Sequence, residues 1–132
     1  MFQVEVCSPR QIVLVRFFGD LSEDDFAELD KLAANARGKT EYDCIYDMTD
    51  VQSVSLRIDF VTKRADLPQP YKDRERIYVV QEGDLKFLVH SYFAAQAAKG
   101  WKEPRMVGTL DDALEILGVS ASDFVALPIS QP

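Results

Sequence analysis

The fold is decided by the stretch Tyr42-Asp43-Cys44-Ile45-Tyr46-Asp47-Met48-Thr49-Asp50-Val51-Gln52-Ser53-Val54-Ser55-Leu56. Its first half, Asp43 to Met48, is rich in apolar residues and predicts a β-strand. Its second half predicts a polar turn, followed by a helix that starts near Ser53 or Ser55, with either serine as the N-cap. Ligand and partner sites in open α/β sheets lie at the carboxyl ends of strands, where a helix follows, so this stretch is also the first candidate binding surface.

The same order of strand and helix continues along the chain. Two earlier strands, Phe2–Val6 and Ile12–Phe18, predict a hairpin, and Gly19-Asp20 is expected to end its second strand. The remaining predicted elements are a helix after Ser22, a buried strand at Ile77–Val80, a helix at Leu85–Lys99, a short strand at Met106–Gly108, and a helix capped by Thr109 or Asp111. A hairpin followed by β-α units predicts one α/β domain over residues 1–132, with a mixed, mostly parallel sheet covered by helices.

The composition narrows the classes of function. The chain has 132 residues and a formal net charge of −7, which disfavours binding to nucleic acid or to an anionic membrane. No signal-peptide pattern and no apolar run of about 20 residues occurs, so no membrane insertion is expected and the cytoplasm is the expected location. Cys7 and Cys44 stand alone in separate apolar strands and are predicted to be buried free thiols.

No catalytic constellation can be found in the residues. His90 is the single histidine, and Ser91 beside it would point about 100° away around a helix, so the two do not form a nucleophile-base pair. Two cysteines and one distant histidine fit no zinc spacing. Asp47 and Asp50 could contribute to a cation site, but a turn or capping role is favoured because hard cations need six or more oxygens. We therefore expect no enzyme activity, no metal and no cofactor.

The order and spacing of three segments resemble the SpoIIAA-like proteins, small bacterial domains related to the STAS fold (sulfate transporter and anti-sigma-factor antagonist). The first segment is Ile45–Val51 and the second is Ile77–Val80 with the long helix that follows it. The third is Met106-Val107 followed by Thr109–Gly118. With the opening hairpin and first helix, the resemblance covers nearly the whole chain and implies a STAS/SpoIIAA-like sheet.

The resemblance also implies a site, from which this chain departs. In anti-sigma-factor antagonists, a serine at the start of the second helix is phosphorylated within an Asp-Ser-Ser-Gly-like context. Alignment on Val54 places Ser55 at the aspartate, Leu56 at the phosphoserine and Arg57 at the next serine, with no glycine after it. The phosphoswitch is therefore expected to be lost.

Basic residues concentrate in the middle of this acidic chain. A solvated face neutralised by interleaved acids is the favoured interpretation, and an anion or acidic-partner patch is the alternative. The residues concerned are Arg57, Lys63, Arg64, Lys72, Arg74 and Arg76.

Two hypotheses for the function follow. The first is a noncatalytic interaction or regulatory module, whose contact surface comprises Asp47, Thr49, Asp50, Ser53, Ser55 and Arg57. The second is a binder of a small apolar ligand or lipid, by comparison with CRAL-TRIO domains, whose pocket would be lined by Tyr78, Phe87, Tyr92, Phe93 and Trp101. A homodimer is compatible with both, because the Leu85–Lys99 helix carries a second apolar face.

Overall fold

A six-stranded sheet organises the protein in the computed structural model, which describes residues 1–36, 41–67 and 73–127. The strands stand in the order β5-β4-β3-β2-β1-β6. Their bounds are β1 Phe2–Cys7, β2 Ile12–Ser22, β3 Asp43–Ser55, β4 Arg76–Val79, β5 Arg105–Val107 and β6 Val125–Ala126. Four α-helices alternate with them: α1 Glu23–Ala36, α2 Ile58–Arg64, α3 Asp84–Ala98 and α4 Leu110–Leu117.

The pairing confirms a mixed, mostly parallel sheet opened by a hairpin. β1 and β2 are antiparallel, whereas the β2–β3, β3–β4 and β4–β5 pairs are parallel. The last strand, β6, pairs antiparallel with β1 and was not predicted, because two residues carry too little pattern to indicate a strand. The predicted cap of α4 is confirmed, since the Thr109 hydroxyl accepts the Asp112 N–H at 3.1 Å.

Each face of the sheet carries its own apolar core. The first face packs against α1, α2 and α3, with Phe17, Phe26 and Phe93 among its buried residues. The second face packs against Leu114 of α4 and against Phe124 through Leu14, Ile45, Ile77 and Val79. Strand β4, which lies between β3 and β5, is buried on both faces, as its continuous apolar run predicts.

The predicted end of the second strand at Gly19-Asp20 is wrong. β2 continues to Ser22 and stays paired with β3, through register shifts between Arg16 and Phe18 and between Gly19 and Asp20. Gly19 has a φ of 68°, a left-handed conformation that glycine adopts readily and that suits a bulge. At both shifts the extra residue lies on β3, so Gly19-Asp20 lie opposite a bulge and inside a longer strand.

The predicted turn after Met48 is also wrong, and so are the serine caps. β3 runs on to Ser55, so Thr49 to Ser53 are extended backbone rather than a turn. Helix α2 begins only at Ile58, and its N-cap residue is Arg57, which makes no side-chain cap. Polar residues that would suit a turn are instead accommodated by the two bulges between β2 and β3.

Candidate functional site

The second face of the sheet changes from apolar to polar halfway along β2 and β3. Leu14 and Ile45 are paired in the ladder and belong to the second core. Two residues further along each strand, Arg16 and Asp47 are paired on the same face, and there the core ends. We call this uncovered region the open half-face, and it comprises Glu5, Arg16, Phe18, Asp20, Asp47, Thr49, Asp50, Ser53 and Ser55.

Asp47 holds the bulge at the start of the open half-face. Its Oδ1 accepts the Thr49 N–H at 3.0 Å and the Thr49 hydroxyl at 2.7 Å. Its Oδ2 lies 3.8 Å from Nη1 of Arg16, which also pairs with Glu5. Asp47 is only 4% exposed, so this carboxylate fixes the local backbone at the register shift between Arg16 and Phe18.

Asp20 binds both serines that the sequence suggested as helix caps. The hydroxyls of Ser53 and Ser55 donate to Asp20 Oδ1 at 2.7 and 2.9 Å. These hydrogen bonds, that from Ser53 first, lower the pKa of Asp20, so its carboxylate is ionised at neutral pH. The serines therefore join β3 to β2 rather than starting α2.

Phe18 and Asp50 lie side by side on the open half-face. They are direct partners in the parallel ladder, so their side chains leave the same face of neighbouring strands. Phe18 is 39% exposed, and Asp50 is also exposed. Among the described residues no side chain pairs with the Asp50 carboxylate, whereas Glu5 and Asp47 pair with Arg16 and Asp20 accepts from two serines.

Arg57, the sixth residue of the predicted surface, lies apart from the open half-face. Its Nε and Nη2 donate to the Glu23 carboxylate at 3.0 and 3.1 Å, which fastens the start of α2 to the start of α1. The other arginines of the basic cluster are likewise engaged: Arg64 with Asp30, Arg74 with Asp43, and Arg76 with Gln96. Arg57, Arg64 and Arg74 are thus neutralised by acids from other elements, whereas Arg76 donates to the neutral groups of Gln96, Tyr92 and Lys102. Lys72 lies outside the described residues.

The five residues of the predicted ligand pocket do not line one cavity. Tyr78 and Tyr92 line an apolar cavity of about 50 Å³ between the first face, α2 and α3. Phe93 contacts Tyr78 edge to face, with ring centroids 5.2 Å apart, and belongs to the first core. Phe87 is 68% exposed on the outside of α3, and Trp101, which is half-buried, follows the end of that helix. The grouping fails because Phe87 and Tyr92 lie on different sides of α3.

Sequence reasoning missed an open groove at the carboxyl ends of β4 and β5. The groove has a volume of about 540 Å³ and is lined by Val80, Gln81, Glu82, Lys86, His90, Met106, Val107 and Gly108. His90 is thus exposed at the groove, while Lys86 pairs with Glu82 and lowers the pKa of that carboxyl. The only signal was the lone histidine in an apolar helix, which does not by itself indicate a groove.

Within residues 1–36, 41–67 and 73–127, no three His, Cys, Asp or Glu side chains are grouped so that they could hold a metal ion. None of the helices in those ranges has the length and apolarity that crossing a membrane requires.

Comparison with known proteins gives a likeness of fold. No protein-family model and no curated protein matches the chain. It is similar to the crystal structure of an uncharacterised DUF3478-family protein with a SpoIIAA-like fold, from Shewanella loihica PV-4. The match has a TM-score of 0.53 and 17% identity, and covers 89% of this chain and 92% of that one.

The fold is SpoIIAA-like. The prediction made from the three segments and the opening hairpin is confirmed at the level of architecture, since an identity of 17% is a likeness of fold. Within this SpoIIAA-like fold, the open half-face lies on the sheet beyond the region that α4 and Phe124 cover.

Proposed function

We propose that this SpoIIAA-like chain is a noncatalytic protein-interaction module that uses the open half-face as its contact surface. The observation that carries the proposal is that five of the six residues predicted as one surface, all but Arg57, lie together on the open half-face, where Asp47 is buried and Asp50, Ser53 and Ser55 are exposed. Asp47 and Asp20 are hydrogen-bonded to groups of the chain itself, so they hold the surface in shape. A pre-organised surface of this kind reduces the entropy lost when a partner binds.

The proposed module lacks the phosphoserine switch of anti-sigma-factor antagonists. Leu56, aligned with the phosphoserine, carries no hydroxyl and packs against the first core. Ser55, aligned with the aspartate before it, donates its hydroxyl to Asp20. Partner binding is therefore proposed to be independent of phosphorylation at the aligned position.

Capture of partners from a lysate of the source organism tests this surface. We compare the wild type with Ser53→Arg, which puts a large cation on the open half-face, and with Ser122→Arg, which makes the same change at an exposed position near β6. Partners identified by quantitative mass spectrometry should be lost with Ser53→Arg and retained with Ser122→Arg. The same partner list for all three proteins would rule out the open half-face.

The second candidate function, binding of a small apolar ligand or lipid, is favoured by the cavity beside Tyr78 and Tyr92. Its lining is almost wholly apolar, with Arg64 as the charged residue among the lining side chains. Its volume of about 50 Å³ is well below the roughly 300–1,000 Å³ typical of ligand pockets, so α2 would have to move outward for a ligand to enter. Native mass spectrometry of the purified protein tests this candidate, because a bound ligand would add a removable mass.

A homodimer is proposed to form through the outer side of α3. Phe87 is 68% exposed there, and the exposed Ala94 lies two turns further along the same helix. A second copy would cover this apolar surface without using the open half-face, so dimer formation and partner binding are compatible.

A further inference from the structure

We infer that the partner presents an arginine to the open half-face, and that Phe18 and Asp50 receive its guanidinium group. This inference rests on the proposed function and adds the chemistry of the partner. The proposed partner is a protein that binds through a basic segment, with arginine rather than lysine at the central contact.

The pairing of Phe18 with Asp50 provides the geometry. Adjacent strands of a sheet are about 4.8 Å apart, so direct ladder partners hold their side chains next to one another on one face. An aromatic ring that is 39% exposed therefore lies beside an exposed carboxylate. A guanidinium can stack flat on a ring and donate in-plane hydrogen bonds to a carboxylate at the same time.

The protein already uses this combination of groups inside its own structure. The Arg64 guanidinium carbon lies 4.7 Å from the centre of the Phe26 ring. Its Nη1 and Nη2 donate to the two oxygens of Asp30 at 2.9 and 2.8 Å. The ring and the carboxylate come from α1 and the arginine from α2. On the open half-face a ring and a carboxylate are also adjacent, here on the neighbouring strands β2 and β3, and the arginine must come from elsewhere.

Arg16 does not supply the missing group. It lies two residues before Phe18 on β2, but it is paired with Glu5 and lies 3.8 Å from Asp47. In the described part of the chain, the only guanidinium found over an aromatic ring is that of Arg64. Phe18 is therefore available to a cation from a partner.

The charge of the surface matches a basic partner. The open half-face holds the four carboxylates of Glu5, Asp20, Asp47 and Asp50 against the one guanidinium of Arg16. The chain as a whole has a net charge of −7, which would speed the approach of a cationic segment and slow that of an acidic one. Lysine would satisfy the charge, but its compact ammonium cannot match both the ring face and the bidentate geometry.

Two labelled peptides of equal charge test the inference by fluorescence anisotropy. Both have a Gly-Ser backbone with four basic residues, which are arginine in one peptide and lysine in the other. The wild type should bind the arginine peptide about two- to fivefold more tightly, as expected for one exposed cation–π contact. Phe18→Leu should abolish this preference while Phe18→Tyr, which keeps a ring, should retain it. Circular dichroism of each variant checks that it is folded.

A charge-matched pair of variants separates the site from general attraction. Asp50→Asn and Glu28→Gln each remove one negative charge, but Glu28 lies on the exposed side of α1. Binding of the arginine peptide should weaken about two- to fivefold in Asp50→Asn, the size of an exposed ion pair, and stay unchanged in Glu28→Gln. Equal binding of the two peptides by the wild type, or equal effects of the two variants, would overturn the inference.

The capture experiment makes failure of this inference distinguishable from failure of the proposed function. If Ser53→Arg loses its partners while the peptides show no arginine preference, the interaction surface stands and the arginine contact is wrong. If Ser53→Arg also keeps all partners, the surface itself is wrong.

Discussion

Replacing Asp47 by alanine is expected to lower the free energy of unfolding by about 3 kcal/mol. Its Oδ1 accepts two hydrogen bonds from Thr49, at 3.0 Å from the amide and 2.7 Å from the hydroxyl. Hydrogen bonds to a charged group contribute roughly 1.5–3 kcal/mol each, and the lower value suits a pair that is only partly buried. Asp47→Asn keeps an acceptor of the same shape and loses mainly the charge facing Arg16 at 3.8 Å. Its neutral oxygen also accepts more weakly than a carboxylate, so this variant should cost about 1–2 kcal/mol, less than the alanine variant.

Urea unfolding followed by circular dichroism measures both variants. A second readout is hydrogen exchange of the Thr49 amide, which should speed up in Asp47→Ala because that amide loses its acceptor, and much less in Asp47→Asn. The reasoning would be refuted by an alanine variant within about 1 kcal/mol of the wild type. It would also be refuted by an asparagine variant as unstable as the alanine one, since the charge rather than the acceptor would then hold the bulge.

Three further measurements address the rest of the molecule. Gln96→Leu should lower the free energy of unfolding in urea by about 2–4 kcal/mol. The reason is that Gln96 is 1% exposed, accepts from Arg76 at 2.7 Å and donates to the Tyr92 hydroxyl at 2.9 Å. Gln81→Leu, at an exposed position, is its control. Burial raises the pKa of Cys44 to about 11, so at pH 8 iodoacetamide should label this thiol about 100-fold more slowly in the native than in the urea-unfolded protein. A native labelling rate close to the unfolded rate would contradict the burial of the thiol. Light scattering should show a dimer for the wild type and a monomer for Phe87→Ser, and a wild-type monomer at micromolar concentration would count against the α3 interface.

The architecture could be predicted because it depends on patterns that are local and repeated. The apolar run Ile12–Phe18 lies within β2, and the run Ile77–Val80 matches β4 with an offset of one residue. The helix predicted at Leu85–Lys99 matches α3 to within one residue at each end. Parallel pairing then follows from the alternation of strands and helices. Strand order and the short β6 could not be predicted, because they depend on contacts between residues far apart in the chain.

The ends of β2 and β3 show why local signals fail at the candidate site. Gly19-Asp20 and Thr49-Asp50 have the composition of turns, and an isolated segment with either pair would favour one. In the folded chain each segment gains ladder hydrogen bonds by remaining extended, and the bulges place the extra residues. The predicted surface residues of β3 thus lie on one stretch of the sheet, although the predicted turn geometry was wrong, and their role in binding stays a prediction. Phe18 was not predicted as a surface residue, because an aromatic residue at the end of an apolar run is typical of the buried core.

The open half-face exists because β2 and β3 extend beyond their neighbours. β1 pairs with β2 only as far as Phe17, and β4 pairs with β3 only as far as Asp47, whereas the β2–β3 ladder continues to Ser22 and Ser55. Met1 borders the β2 side of this extension, where it accepts the Phe18 N–H at 2.9 Å and donates to the Asp20 carbonyl at 3.2 Å. The exposed edge of β3 could pair with another sheet, and bulges and charges are the usual protection against such pairing. This extension has two register shifts and the charges of Asp20 and Asp50. Backbone pairing is thereby disfavoured, so recognition must rely on side chains, and Phe18 beside Asp50 is the pair best placed for it.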